Sequence, residues 1–442
     1  MKYYKCYIFP LFYLNMCLIL NKPKTTTMKK AINILTFVCI FCFSTIAQTI
    51  SADLETDLQK IVNNALPSKL NNPGVVLGIH VPGLWSWYGS AGYSITGLTN
   101  GYPAKTALSS DKFRVGSISK MFVSTAILQL EEAGMLSTND DIALYLRPTL
   151  INDTIKNTGV IYIKNLLEHT SGVPDLANND SCSIAAKADL TRNFTHEEAI
   201  FCGCVQGEEF PPGFTWGYSN TNYSLLSMII EEVTGKPMRD YIKDNIIDVL
   251  GLNNTFYPPN DEISVSHMGC YWDLAPVTDF TIVDVSLYKG WADIVSNTED
   301  LYTFFHALRT GTLINQNTYN KMFSISPISF DYGLGVEYFD INGDIIYGHS
   351  GDVGNTSGLF FVDISTPAFP DGYYMVYNYN YEGVDMINLL EVPLHNLMKG
   401  YVPSLTHIEE RLEKKLMFYP NPSDGSFNIG LEKDGEYQLK IF

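Results

Sequence analysis

The chain has 442 residues, of which 46% are hydrophobic and 17% are charged, a composition typical of a globular protein with a large core. Its formal net charge is -18. Residues 1–47 carry lysines and no acidic residue, so the rest of the chain is more acidic still. Because a protein this acidic repels the phosphate backbone of nucleic acids, we do not expect it to bind nucleic acid.

The first 47 residues have the pattern of a leader with a signal peptide. A basic start at residues 28–30 precedes an apolar run at residues 31–43 and a small-residue cleavage site at residues 45–47. Met28 is an alternative translation start. The pattern predicts export to the periplasm, the cell surface or the medium. A retained membrane anchor is the alternative, although the run is shorter than the roughly 20 apolar residues of a membrane span.

Four cysteines remain after the leader: Cys182, Cys202, Cys204 and Cys270. They allow three pairings. A bond between Cys202 and Cys204 would close a small strained loop, so we predict that Cys182 bridges to one of these two and Cys270 to the other, as suits an oxidising compartment. A zinc site is the alternative, although C-x-C without a second close pair is weak metal-ligand spacing.

The predicted elements place strands near both ends of the chain and helices between them. Helical spacing occurs at residues 53–66, 117–133, 301–308 and 384–398, with a break or kink expected at Pro393 and a capping box at residues 296–299. Strand patterns occur at residues 75–79, 85–93, 345–347, 359–364 and 373–379. This order predicts an α+β fold, in which an antiparallel sheet is flanked by helices and accompanied by a mainly helical lobe.

The first candidate motif is Ser117-Ile118-Ser119-Lys120. Residues three apart on a helix share a face, so Lys120 would reach the hydroxyl of Ser117. A serine becomes a nucleophile when a neighbouring base takes its proton, and a lysine can act as that base if burial lowers its pKa. Alone the pattern is weak, because a solvated helix start has the same spacing.

Two further motifs follow. Tyr218 and Asn220 lie two residues apart in a segment that reads as extended, so their side chains would project the same way. His349, Ser350 and Gly351 end a predicted strand, and the glycine would let the backbone approach a ligand. The alternatives are a core tyrosine anchored by its hydroxyl and a hydrogen-bonded histidine at a strand end.

Together, Ser117-x-x-Lys120, Tyr218-x-Asn220 and His349-x-Gly351 occur in the order of the three motifs that define penicillin-binding proteins and serine β-lactamases, and the chain resembles that family. The Y-x-N form resembles the branch of class C β-lactamases and D-alanyl-D-alanine carboxypeptidases. Residues 166–175 and 331–335 also look typical of the family. The resemblance covers about residues 54–405 and implies a β-lactamase/transpeptidase-like fold.

The resemblance also implies roles. Ser117 would attack a carbonyl and form an acyl-enzyme, while Lys120 and Tyr218 would share the general-base work and then protonate the leaving group. Asn220 would orient Lys120 and the substrate amide.

The third motif would hold the substrate. His349, Ser350 and Gly351 would line the strand on which it docks, and the backbone N–H groups of Ser117 and Asp352 would form the oxyanion hole.

Three positions depart from the family pattern. His349 stands where β-lactamases carry lysine, which resembles the carboxypeptidase and esterase relatives. Asp352 replaces a small residue, and Ser357 replaces the proline of a usual Pro-Gly pair. An acid beside the substrate strand disfavours substrates with a carboxylate unless a cation neutralises it.

The last residues resemble the start of the sorting domain that type IX secretion systems recognise, at residues 418–427 and 437–442. We expect this domain to be truncated, since only two or three strands are indicated; an ordinary terminal hairpin is the alternative. The predicted division is therefore a leader (1–47), a hydrolase domain (48–405), a linker (406–415) and a truncated sorting domain (416–442), with the secretion machinery as a partner.

The sequence thus predicts a secreted serine hydrolase acting through an acyl-enzyme on a small peptide, β-lactam or ester. Cleavage of D-alanyl-D-alanine is placed first, followed by β-lactam and ester hydrolysis. A non-catalytic protein that binds cell-wall peptide is the alternative from another class. No metal, nucleotide or flavin cofactor is implied, since the chain contains no H-E-x-x-H, P-loop or dinucleotide fingerprint.

Overall fold

The structure is a computed structural model, and the residues that it describes do not include the predicted leader or the predicted linker. The described residues are 50–66, 73–97, 103–156, 159–178, 188–204, 207–258, 267–272, 278–364, 366, 368–401, 416–420, 427–431 and 436–439.

The long strands lie towards the two ends of the described chain, and most of the helices lie between them. The strands are β1 Gly74–Val81, β2 Trp85–Ile95, β3 Lys105–Thr106, β4 Phe113–Arg114, β5 Tyr271–Trp272, β6 Thr278–Asp279, β7 Val295–Ser296, β8 Glu337–Ile341, β9 Asp344–Asp352, β10 Thr356–Val362, β11 Tyr373–Tyr379, β12 Tyr381–Glu382, β13 Leu416–Pro420, β14 Phe427–Leu431 and β15 Glu436–Leu439. The α-helices are α1 Ala52–Asn64, α2 Ser119–Glu132, α3 Ile163–Leu167, α4 His196–Cys204, α5 Asn220–Thr234, α6 Met238–Ile242, α7 Asp248–Leu250, α8 Thr298–Arg309, α9 Gln316–Met322 and α10 Val392–Gly400.

The main sheet has seven strands in the order β3-β2-β1-β11-β10-β9-β8, and each neighbouring pair is antiparallel. Strand β1 joins the two halves of the chain, because Val76 pairs with Ser90 of β2 on one side and with Asn378 of β11 on the other. The predicted α+β class and the antiparallel sheet built from both chain ends are confirmed.

Side chains that alternate along the central strands separate two hydrophobic layers. In β11, Tyr374 and Val376 pack with the helices of the middle of the chain, whereas Tyr373 and Met375 pack with α1 and α10. Every residue of β1, β10 and β11 is buried, because helices cover both faces of the sheet there. The first layer contains α2 and α5, the two helices that begin within the first two motifs.

Two local predictions need correction. Helix α8 is capped by Asn297, whose side chain accepts from the Asp300 N–H, and not by Ser296. The Ser296 hydroxyl instead bonds Thr255, because Ser296 belongs to β7. The chain stays helical across Pro393, so the predicted break is absent; the irregularity there is a change from the π-helix Ile387–Glu391 to α10, directly before the ring.

The cysteine prediction is also corrected. Cys202 is disulfide-bonded, whereas Cys204 and Cys270 are free, buried thiols. Cys270 therefore does not bridge to the Cys202/Cys204 pair. Its thiol lies beside the Arg114 guanidinium instead. Cys182 lies outside the described residues. Within the part of the chain that is described, no group of three or more His, Cys, Asp or Glu residues could hold a metal ion.

Among the described helices, none is long and apolar enough to cross a membrane.

Strands β13, β14 and β15 form a separate three-stranded antiparallel sheet, with Phe418 opposite Ile429 and Ile429 opposite Tyr437. The sequence indicated two or three strands here, and the sorting function of this segment stays a prediction.

Candidate active site

Ser117 lies at a sharp turn between β4 and α2. A 3-10 turn, Gly116–Ile118, precedes α2, so the helix predicted to start at Ser117 starts regularly only at Ser119. Gly116 has a φ of +56°, and a Cβ at this position would lie 2.7 Å from the backbone nitrogen of Asp352. Glycine is therefore required on both conformational and steric grounds.

Lys120 is fully buried one turn after Ser117, and its amine has three polar neighbours. Nζ lies 2.8 Å from Ser117 Oγ, 2.7 Å from Asn220 Oδ1 and 3.3 Å from the Trp291 carbonyl oxygen. Burial lowers the pKa of Lys120 to about 7, although the nearby carboxylates of Asp175 and others oppose this shift.

A neutral amine fits these three contacts. It has two N–H groups, and Asn220 Oδ1 and the Trp291 carbonyl can only accept hydrogen bonds. Its lone pair is then left for the hydroxyl proton of Ser117. The arrangement can therefore activate Ser117 near neutral pH.

Tyr218 approaches the same hydroxyl from another direction. Its O–H donates to Ser117 Oγ at 3.0 Å, and the amine of Lys120 lies 4.9 Å from the centre of its ring. Burial, followed by the negative charge of Glu337, raises the pKa of Tyr218 well above its usual value of 10. Tyr218 therefore stays a neutral phenol, which suits it to pass a proton rather than to act as a phenolate base.

Asn220 is the first residue of α5, and its orientation is fixed by Asp175. The Asp175 carboxylate accepts from the Asn220 backbone N–H at 3.0 Å and from its side-chain amide at 3.2 Å. The amide oxygen of Asn220 consequently faces Lys120. In the sequence analysis, Asp175 was only the last residue of the family-like loop 166–175, and no role was predicted for it.

His169, in the same loop, holds the segment that carries Tyr218. Its carbonyl accepts from the Gly217 N–H at 2.9 Å, and its Nδ1 accepts from the Ser219 N–H at 3.1 Å. The His169 ring also contacts the Tyr218 ring, with 4.3 Å between centroids. His169 has a φ of +58°, an uncommon conformation for a buried residue other than glycine. These contacts make it a positioning residue that sequence reasoning missed.

Strand β9 passes very close to the turn that carries Ser117. A Cβ at Gly351 would lie 2.1 Å from the Val115 carbonyl oxygen and 2.9 Å from the Ser117 nitrogen. The backbone nitrogens of Ser117 and Asp352, the predicted oxyanion donors, thus belong to two chain segments in direct contact. Close approach of β9 therefore depends on the absence of a side chain at Gly351.

We expect Gly351→Ala to lower kcat/KM by at least about 100-fold, because the methyl group would push β9 away from the Ser117 turn and displace one oxyanion donor. Steady-state kinetics and thermal unfolding would measure the effect. Gly400→Ala is the matched control, since a Cβ there meets nothing within 4 Å. Near wild-type activity of Gly351→Ala would contradict the close-approach argument.

The three residues of the third motif are placed differently from one another. Ser350 and Gly351 line the cavity at Ser117, whereas the His349 side chain is fully buried. Its Nδ1–H donates to the Ser350 carbonyl at 2.6 Å, and its Nε2 lies 2.8 Å from the Tyr332 hydroxyl. Burial lowers the pKa of His349, so the ring is neutral and accepts from Tyr332. This geometry favours a positioning role for His349 over the predicted substrate contact.

The cavity at Ser117 has a volume of about 490 Å³. Tyr218 and Asn220 contribute to its wall, together with aromatic and apolar side chains that include Trp272, Phe280, Tyr288 and Trp291. Its charged lining consists of Glu337, Asp352 and Glu382, and no lysine or arginine occurs among the described lining residues. The cavity therefore presents a hydroxyl nucleophile to a ligand in an acidic, partly aromatic setting.

Comparison with known proteins shows which family the chain resembles. The Beta-lactamase family model matches residues 50–389. PbpX of Bacillus subtilis (strain 168), which carries a penicillin-binding protein name, is 34% identical over 224 residues, which are 50% of this chain and 52% of that protein. The chain thus spans about half the length of the curated relatives it matches.

Solved structures agree over a larger share. A D-stereospecific amidohydrolase from Streptomyces sp. is 25% identical with a TM-score of 0.65, and the match covers 78% of this chain and 99% of that one. A penicillin-binding protein from Bacillus halodurans has the same fold, at 21% identity and a TM-score of 0.60, over 82% of this chain and 100% of its own. Since the family model covers most of the sequence, the chain belongs to the Beta-lactamase family.

Proposed function

We propose that the protein hydrolyses amide or ester bonds through an acyl-enzyme on Ser117. The observation that carries the proposal is the convergence of a lysine amine at 2.8 Å and a tyrosine hydroxyl at 3.0 Å on one serine oxygen at the wall of a cavity. Ser117 and Lys120 lie on one turn, whereas Tyr218 comes from a segment about 100 residues away, so only the fold brings the three groups together.

The proposed reaction has two halves. Ser117 Oγ forms a bond to the substrate carbonyl carbon, its proton moves to the neutral amine of Lys120, and backbone N–H groups of Ser117 and Asp352 stabilise the oxyanion. The bond to the leaving amine or alcohol then breaks. That group takes the proton held by Lys120, which is passed on through the Tyr218 hydroxyl. Water attacks the resulting ester by the reverse route and releases the acid.

We infer that uncharged or cationic amides and esters are better substrates than those with a carboxylate near the scissile bond. Glu337, Asp352 and Glu382 line the cavity, and like charges close together repel. D-alanyl-D-alanine cleavage and β-lactam hydrolysis remain candidate activities, and both would require a cation that the described lining does not supply. The amidohydrolase name of the Streptomyces relative supports an amide substrate.

A non-catalytic protein that binds cell-wall peptide is the second candidate. The buried amine argues against it, because burying Lys120 against Ser117 costs free energy that a binding role does not require. Its lowered pKa is a property of catalytic lysines.

The experiment is covalent labelling. A fluorophosphonate probe should react with the mature protein, and peptide mass mapping should find the adduct on Ser117 and on no other serine. Fluorescent penicillin and a chromogenic ester then rank the candidate activities. Absence of an adduct with all three probes would favour the binding protein.

We further propose that the protein is exported, with residues 1–47 as leader and residues 416–442 as a type IX sorting segment that contacts the secretion machinery. The support is the sequence pattern at both ends and the three-stranded sheet β13–β15. N-terminal sequencing of protein from fractionated cells would test this, and an unprocessed chain in the cytosolic fraction would contradict it.

A further inference from the structure

A second cavity of about 710 Å³ adjoins the one at Ser117. The two share five wall residues, which are Tyr218, Glu337, Ser350, Asp352 and Glu382. A substrate bound at Ser117 can therefore extend from one cavity into the other. The proposed reaction leaves the part of the second cavity beyond these shared residues without a role.

The wall of the second cavity is acidic and aromatic. Its carboxylates are Asp331, Glu337, Asp352, Glu382, Asp385 and Glu391. The aromatic residues include Trp216, Tyr332, Tyr338 and Tyr377. No lysine, arginine or histidine occurs among its described lining residues. Carboxylates and aromatic faces both attract cations, and their combination repels anions.

Glu391 distinguishes this wall from an ordinary acidic surface. Its side chain is 3% exposed, and one oxygen, Oε1, accepts a hydrogen bond from the Tyr377 hydroxyl. The other oxygen, Oε2, is buried without a hydrogen-bond partner among the described residues. A buried carboxylate oxygen without a partner costs free energy, which a bound cation would recover.

The position of Glu391 in the chain accounts for its burial. It is the last residue of the π-helix Ile387–Glu391 and stands directly before α10, and its hydrogen-bond donor Tyr377 belongs to β11. Burial, with the charges of Glu337 and Asp385, raises the pKa of Glu391 to about 7. A carboxyl group that is only partly ionised at neutral pH becomes fully ionised when a cation binds beside it.

We propose that the second cavity binds a primary ammonium group of the substrate that is attacked by Ser117, with Glu391 as its main charged partner and the aromatic side chains as its surroundings. This inference rests on the proposed function, because it assigns the substrate class of the same hydrolytic site. The substrate is then a cationic amide or ester, such as one derived from an amino acid with a free amine.

Matched boronic acids test the proposal, because boron forms a reversible bond to a serine oxygen and so anchors each probe at Ser117. The series carries an aminoalkyl, a hydroxyalkyl or a carboxyalkyl group on phenylboronic acid, with one or three methylenes. We expect the inhibition constant of the best ammonium probe to be about tenfold lower than that of its neutral analogue. The carboxylate probe should bind more weakly than both.

Variants connect the preference to the cavity. Glu391→Gln keeps an acceptor for Tyr377 and removes the charge, and it should reduce the ratio between neutral and ammonium inhibition constants at least fivefold. Asp385→Asn, at the exposed rim, should reduce it less and serves as a second variant if Glu391→Gln fails to fold. Asp371→Asn removes the same charge from an exposed turn outside both cavities and should leave the ratio unchanged.

The outcomes separate the two proposals. If all boronic acids bind equally well whatever their charge, the ammonium site is overturned while Ser117 remains reactive. If the ammonium is preferred but both variants keep the wild-type ratio, the cavity assignment is wrong. If neither boronic acids nor the fluorophosphonate react at Ser117, the proposed function itself fails.

Discussion

Ser117→Ala is expected to lower kcat/KM for an amide or ester substrate by about 10⁴-fold or more, since removal of a nucleophile disables every group that acts on it. The protein should remain folded, because the Ser117 hydroxyl contacts only Lys120 and Tyr218 among the described residues. Steady-state kinetics with a chromogenic ester would measure the loss.

The matched control for this variant is Ser324→Ala, which removes an exposed hydroxyl that lines neither cavity. Its activity should equal that of the wild type. If Ser117→Ala instead retained a tenth or more of the activity, the acyl-enzyme on Ser117 would be refuted, since no residual effect of binding approaches that level.

Lys120→Met should lower kcat/KM by about 10²- to 10⁴-fold, the range for loss of a general base. In the wild type, the pKa of Lys120 near 7 means that the amine is neutral, and active, above that pH. The rate should therefore rise with pH and level off above about pH 7. Because the pKa of Tyr218 is raised, no decline is expected until strongly alkaline pH.

Lys120→Arg separates a base from a mere positive charge. Arginine keeps the charge but does not lose its proton in proteins, so it cannot accept one from Ser117. We expect this variant to be as impaired as Lys120→Met and to lack the rise near pH 7. Substantial activity of Lys120→Arg would show that the lysine acts only through its charge.

The part of the site that was predictable from sequence is the part determined locally. The spacing of Ser117 and Lys120 requires only one helical turn, and the extended backbone at Ser219 lets Tyr218 and Asn220 converge. The strands at both chain ends were predictable because long apolar runs bounded by turns have few alternatives. Even there, the spacing did not reveal the 3-10 turn Gly116–Ile118, after which the regular helix starts at Ser119.

The remaining features depend on packing between distant segments. Asp175 and His169 acquire their roles only because their loop lies against the segment before α5. His349 was predicted to bind substrate, but its side chain is buried and its Nε2 lies 2.8 Å from the Tyr332 hydroxyl, a contact that the strand pattern alone does not reveal. The charge of the second cavity comes from strands, loops and a helical segment spread over residues 331–391, and no local pattern relates them.

The position of β1 between β2 and β11 has a consequence for biosynthesis. The backbone N–H of Gly74 donates to the side chain of Asn380, 306 residues further along the chain. During translation the sheet cannot close until nearly the whole hydrolase region has left the ribosome, and contacts of such long range also slow folding. The nascent polypeptide therefore stays unable to assemble its reactive centre for most of its synthesis, a state compatible with transport of an unfolded chain.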